Sequence, residues 1–165
     1  MIATGIGYDC HPFASERRLV MGGVELAAEG GLAGHSDADV LTHAIIDALL
    51  GAAALGDIGQ HFPDTDARYR DANSIELLRS TVGELTSRGF QIVHVDATVV
   101  LERPALAPHR EQIRASLAEA LGVPVGHVSV KATRGEGLGF VGRGEGAACL
   151  AVATVERPGG LHDPS

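Results

Sequence analysis

One stretch has to be a buried helix and a chemical site at the same time. Val40-Leu41, Ala44-Ile45, Ala48-Leu49 and Ala52 recur at three- and four-residue spacing, as the buried face of a helix requires. Ser36 or Asp37 can cap its start, so the spacing predicts a helix from Asp37 to about Leu55. Asp39, His43 and Asp47 stand four residues apart and project as one row of metal-binding or proton-transfer groups. His35 and Ser36 fall at the predicted N-terminus, where free amides and the helix dipole favour an anion such as a phosphate. For the row taken alone a solvated polar face is the simpler account, so the rest of the chain has to decide.

Ahead of this helix, Ile2, Thr4 and Ile6 alternate with Ala3, Gly5 and Gly7, which predicts a strand. At its end Asp9 and His11 point to one face and Cys10 to the other, and Pro12 is expected to stop it. Gly22-Gly23, between Arg18–Met21 and Val24–Leu26, reads as a two-residue hairpin turn. Beyond the helix, Gly56 to Gly59 and Phe62 to Asp66 read as a loop rich in carboxylates, with solvated loop as the simplest account. A second helix starts at Asn73, with Glu76 as a capping-box partner, and ends near Arg88 before Gly89. A long strand covers Phe90 to Leu101. A third helix begins near Pro108 and ends before Gly122. Val128–Thr133 and Ala147–Val155 are the last strands.

This order predicts an α+β fold: a single domain, residues 1–156, in which three helices cover one face of a mixed β-sheet. Residues 157–165 are expected to form a flexible polar tail, with no role for His162 or Asp163.

The chain is 45% hydrophobic but only 4% aromatic, with no Trp, so Leu, Val, Ile and Ala must build the core and stacked-base recognition has little to work with. A formal charge of −8 argues against nucleic acid or an anionic membrane as partner. An anionic small molecule remains compatible if its site supplies cations. No apolar run is long enough to span a bilayer, no secretory signal is visible, and the two cysteines, Cys10 and Cys149, make no disulfide framework. A cytoplasmic location is the expectation. Both cysteines read as small buried hydrophobes, with a bridge between them left open.

Asp9, His11 and His43 form a carboxylate and two imidazoles, a set that suits zinc and leaves a fourth tetrahedral position open. The Asp-x-His spacing is weak by itself, and the set is complete only if the fold brings His43 to it. Gly137 to Gly142 satisfies G-x-G-x-x-G, but it leads into a strand rather than opening a helix, so a dinucleotide fingerprint is rejected. That loop, with Lys131, Thr133, Arg134 and Arg143 nearby, can still approach phosphates.

Several blocks taken in order resemble the 2-C-methyl-D-erythritol 2,4-cyclodiphosphate synthases, the cyclising enzymes of the non-mevalonate isoprenoid pathway. They are Gly7-Tyr8-Asp9-Cys10-His11, Gly34-His35-Ser36-Asp37-Ala38-Asp39 with His43, Leu55 to Gly59, Phe62 to Asp66, Lys131-Ala132-Thr133, and Leu138 to Gly146. The match runs nearly to Val155.

The resemblance implies a homotrimer with active sites between subunits and a diphosphocytidyl substrate. It implies one Zn2+ per subunit on Asp9, His11 and His43, and a second divalent cation, Mg2+ or Mn2+, near Glu136. His35 and Ser36 are implied to meet the reacting phosphates. Asp57, Ile58 and Gly59, with Phe62, Pro63, Asp64, Thr65 and Asp66, are implied to meet the erythritol part. Leu101 to Ala107, with Thr133, Arg134, Gly135 and Glu136, would hold the cytidine diphosphate, while Phe140 and Arg143 would line substrate or a trimer cavity. Two departures stand out: Arg134 replaces a common threonine, and Ala105 replaces the lysine of a common Pro-Lys pair. Arg134 is expected to compensate for both, as a planar charged donor to the diphosphate, and so to join His35 in the catalytic set.

Overall fold

Two glycines on the first strand let a buried helix lie directly on it. The structure, a computed structural model, describes residues 1–27 and 29–158. β1 (Ile2–Ala14) turns Ala3, Gly5, Gly7, Asp9 and His11 toward α1 (Val40–Ala52), and Ile2, Ile6 and Tyr8 away from it. A Cβ on Gly7 would lie 1.9 Å from the Ala44 carbonyl oxygen, and one on Gly5 would lie 2.1 Å from that of Ala48. Only hydrogen fits there, so strand and helix meet backbone to backbone.

β2 (Leu19–Met21) and β3 (Val24–Ala27) form the expected hairpin, with positive φ at Gly22 and Gly23 as a tight turn of this kind needs. β4 (Gly31–Leu32) is too short to leave a period-two signature. After α1 come α2 (Ile58–His61), α3 (Ser74–Ser87), β5 (Gln91–Val100), α4 (Arg110–Leu121), β6 (Val128–Thr133), α5 (Gly139–Gly142) and β7 (Gly146–Glu156).

The mixed sheet runs β4-β1-β7-β5-β6, antiparallel except for β5 and β6, which α4 connects as a parallel crossover. α1 covers β1 and β7, α4 covers β6, and α3 packs against both helices. The core between them uses Leu41, Ile45, Leu49, Ile113 and Leu117, all fully buried, each contributing roughly 1.5–3 kcal/mol by burial. The opposite sheet face carries Ile6, Tyr8, Leu150 and Val152, which remain 41–70% exposed in the single chain. Ile6 is paired with Val152 and Tyr8 with Leu150, so these residues form one apolar patch.

Several expectations are corrected. Pro12 does not end β1: its carbonyl accepts from Ala33 N–H at 2.8 Å and Phe13 N–H donates to the Glu145 carbonyl at 2.9 Å, so the strand continues past the one missing donor. α1 begins at Val40 with Asp39 as its cap, rather than at Asp37, because Ala38 takes a positive φ of 57° that interrupts the helix. The loop from Asp57 contains the helical turn α2, and the glycine-rich run contains α5. Cys10 is exposed on the open face and Cys149 is buried on the helix face. The two thiols therefore point to opposite sides of the sheet and are both free. Met1 and Arg157 exchange two backbone hydrogen bonds; residues 159–165, including His162 and Asp163, lie outside the described residues.

Gly7→Ala should destabilise the fold by about 3 kcal/mol, the upper end of what a core overpacked by one methyl costs, because the clash is with helix backbone rather than a movable side chain. Urea unfolding measures it, and an unchanged midpoint would show that the strand–helix contact is not the constraint described.

Candidate metal centre and a second cleft

The contact between β1 and α1 fixes where His43 stands relative to Asp9 and His11. Asp9 Oδ2 lies 2.9 Å from His11 Nε2 and 3.0 Å from His43 Nδ1, and the two imidazole nitrogens are 3.2 Å apart. Around a tetrahedral zinc with bonds of about 2.0–2.1 Å, ligand atoms stand about 3.3 Å apart. A slight opening of the observed triangle accommodates the ion, so one carboxylate and two imidazoles are already gathered as a three-ligand set.

Hydroxyls hold the far side of His43. Its Nε2 lies 2.8 Å from Ser74 Oγ and 3.0 Å from Ser36 Oγ, and the Ser74 hydroxyl in turn donates to Asp37. In the metal-free protein Nδ1–H donates to Asp9; with a metal bound, Nε2–H donating to a serine oxygen would leave the Nδ1 lone pair facing Asp9 and His11, the tautomer a metal ligand needs. Burial by itself would raise the Asp9 carboxyl, but hydrogen bonds from His11 and His43 hold it at about 2. Burial pushes His43 down, while the Asp9 hydrogen bond and charge outweigh it and raise the imidazole above its ordinary value.

Asp39 is not part of this centre, contrary to the row read from the helix. It is fully buried and caps α1, accepting from Thr42 N–H and Oγ1 and from the Gly22 and Gly23 amides at 2.8–3.0 Å. It therefore fastens the hairpin to the helix start. Asp47 does reach the site wall, where it accepts from Ile58 N–H at 2.7 Å and anchors α2. His35 and Ser36 sit in the loop before α1 rather than on its first turn.

A cleft of about 380 Å³ opens beside the triad, walled by His35, Ser36, Asp47, Ile58, Gly59, Phe62, Asp64 and Tyr69. Phe62 stacks edge-on against Tyr69, with ring centres 5.4 Å apart, giving the cleft an apolar side. Asp57, Pro63, Thr65 and Asp66 belong to the same loop but do not wall the cleft. Asp57 caps α2 through Gln60 N–H, and Asp66 is engaged with Arg68.

A second cleft, about 550 Å³, lies where the chain leaves the carboxyl ends of the parallel strands β5 and β6, the usual place for a ligand crevice in such a unit. Residues 101–107 wall it together with Arg110, Thr133, Arg134 and Glu136. Gly135 stands behind them, donating to Glu102 Oε1 at 2.6 Å. Both clefts are at one end of the sheet, because His11 pairs with Ala147 while Val100 pairs with Ala148 and Thr133. From β1 to β6 is three strand steps, about 14 Å. Phe140, on α5, and Arg143, just after its end, line neither cleft, and Arg143 is paired with Glu145 at 2.7 Å.

Three residues of the first site had no sequence signal specific enough to single them out. Asp37, in the loop before α1, and Ser74, the first residue of α3, complete the support of His43 through a meeting that depends on tertiary structure, and Tyr69 comes from a turn with no periodicity. Arg110, on the second cleft, was masked by its place at a helix start.

A family model described as the YgbB family matches residues 2–156. The 2-C-methyl-D-erythritol 2,4-cyclodiphosphate synthase of Alkaliphilus oremlandii is 56% identical over 151 residues, covering 92% of this chain and 96% of that protein. Among solved structures, the bifunctional IspDF of Campylobacter jejuni is similar with a TM-score of 0.92 at 40% identity, over 95% of this chain and 42% of that one. The Plasmodium falciparum IspF CDP complex has a TM-score of 0.84 at 29% identity, over 96% of this chain and 97% of that one.

In the metal-free protein, Asp9 contributes stability above its unfolded value of 3.8 that is lost as pH falls toward about 2. His43 contributes below its unfolded value of 6.5 and loses that contribution as pH rises through its raised value. The pair therefore supports the fold most between about pH 4 and 6.5. Asp9→Asn should lower the His43 titration midpoint, followed by NMR of the imidazole; a midpoint that does not move would contradict the assigned pairing.

Proposed function

The chain belongs to the YgbB family, and with that as premise we propose that it closes 4-diphosphocytidyl-2-C-methyl-D-erythritol 2-phosphate into 2-C-methyl-D-erythritol 2,4-cyclodiphosphate and releases CMP, within the non-mevalonate isoprenoid pathway. The observation that carries this reading is the three-ligand set of Asp9, His11 and His43 with its open side on a cleft. The substrate brings its own nucleophile, so no protein nucleophile is required. An oxygen of the 2-phosphate forms a bond to the β-phosphorus, the bond from that phosphorus to the bridging oxygen breaks, and the bridging oxygen leaves with CMP. No water enters, which makes the activity a phosphorus–oxygen lyase.

Bringing two anionic phosphates into line is the main obstacle. Asp9, His11 and His43 would hold Zn2+, which when bound polarises a phosphate oxygen and offsets charge. His35 and Ser36, on the wall of the first cleft, would donate to the reacting phosphates. Ile58, Gly59, Phe62 and Asp64 would seat the erythritol, and the Phe62–Tyr69 wall helps exclude the water that would turn cyclisation into hydrolysis. The second cleft would take the cytidine diphosphate, with Arg134 on the diphosphate and Glu136 toward a second divalent ion, Mg2+ or Mn2+.

Two clefts about 14 Å apart across one sheet suit an active site completed between subunits, each lending one cleft to its neighbour. The exposed patch of Ile6, Tyr8, Leu150 and Val152 supports a homotrimer closed through the open sheet face, with Phe140 and Arg143 near its interior. Light scattering that reads a monomer at assay concentration would exclude that arrangement.

Phosphorus NMR of the protein with substrate, zinc and magnesium should show CMP and a cyclic diphosphate appearing together. A linear phosphate product would instead identify a metal-dependent phosphohydrolase on the same ligands.

A further inference from the structure

Cations are scarce in this chain, and most of them are neutralised. Of its 13 Lys and Arg side chains, eight lie within 4.0 Å of a carboxylate. Among the described residues Arg70, Arg103, Arg110, Arg134 and Arg157 do not, and Arg103, Arg110 and Arg134 all line the second cleft. Two carboxylates share that cleft, Glu102, which is engaged with Gly135 N–H, and Glu136, so the cleft is locally cationic in a protein of formal charge −8.

Arg110 differs from its two neighbours. Its Nε is covered and has no hydrogen-bond partner, the one such buried side-chain atom among the described residues. A covered donor without an acceptor is destabilising, and native structures rarely leave one without reason. Arg110 opens α4, so the helix fixes its backbone, and it lines the cleft beside Leu106 and Ala107. A small rotation of the guanidinium would turn Nε and one terminal nitrogen toward the cleft as a planar fork, the geometry that matches two phosphate oxygens.

Resting on the function proposed above, we propose that Arg110 is a further substrate-binding residue, gripping the diphosphate of the nucleoside diphosphate moiety from the α4 side while Arg134 approaches from the β6 side. This assigns to Arg110, together with Arg134, the charge that Ala105 cannot supply. The cytosine and ribose would not contact it, so its effect is confined to ligands that carry the diphosphate.

Calorimetric titration of the full chain with CDP and with cytidine tests this. Arg110→Ala should weaken CDP roughly tenfold or more, as expected for loss of a charged hydrogen bond, and leave cytidine unchanged. Arg110→Lys, which keeps the stem and charge without the fork, should lie between, and it decides the question if Arg110→Ala does not fold. Arg134→Thr should show the same selective loss. Wild-type protein that binds CDP tightly while Arg110→Ala and Arg110→Lys bind it equally well, or lose CDP and cytidine in parallel, overturns the role of Arg110 and leaves the proposed reaction standing. Wild-type protein that binds no CDP at all overturns both.

Discussion

The backbone contact of α1 on β1 is the constraint on which the rest of the molecule depends. Gly5 and Gly7 have no side chain because the carbonyls of Ala48 and Ala44 occupy that space. Two residues beyond Gly7 on β1 and one residue before Ala44 on α1, the spacing that excludes a methyl group is the spacing that sets His43 Nδ1 against Asp9 Oδ2 at 3.0 Å. Packing and chemistry are thus one geometry: the candidate metal centre is what the strand–helix contact becomes where β1 stops carrying glycine and starts carrying Asp9 and His11. Asp39 serves the same end from the other side. A fully buried carboxylate with four donors is tolerable only as a cap and a tether, and it keeps the start of α1 in register with the hairpin.

Electrostatics divide the surface into two kinds of place. The first cleft is walled by imidazoles, hydroxyls and carboxylates with no Lys or Arg among its described lining residues, so an added cation is what it needs to receive a phosphate. The second draws on Arg103, Arg110 and Arg134, three of the few arginines that no carboxylate neutralises among the described residues. An acidic chain acting on a polyanion has to concentrate positive charge in this way, because long-range attraction is unavailable to it. The open apolar sheet face is the remaining asymmetry, since a sheet covered by helices on one side only leaves Ile6 and Val152 without cover.

The elements that carry strong periodicity were legible in the sequence: α1, α3, α4 and the four long strands, together with the Gly22-Gly23 turn. So was the pairing of Asp9 and His11, which needs only the two-residue alternation of a strand. What was illegible depends on meetings between distant segments. Asp39 and His43 look equivalent on a helical wheel, yet one is an end cap and the other a member of the candidate metal set, because α1 starts three residues later than its cap-forming residues suggest. Asp37 is an ordinary loop residue and Ser74 an ordinary first residue of a helix until the start of α3 lies beside the loop before α1. In β1 the large residues face outward and the small ones inward, the reverse of the usual pattern, and alternation alone cannot tell which face is covered.

X-ray absorption at the zinc edge of the zinc-loaded protein tests the central claim most directly, since that claim is about which atoms the strand–helix contact brings together. The account predicts only nitrogen and oxygen neighbours at about 2.0–2.1 Å, with an imidazole contribution that His43→Ala reduces together with bound zinc. A sulfur neighbour at about 2.3 Å, or a spectrum and zinc content that His43→Ala leaves unchanged, would place the metal elsewhere and contradict it.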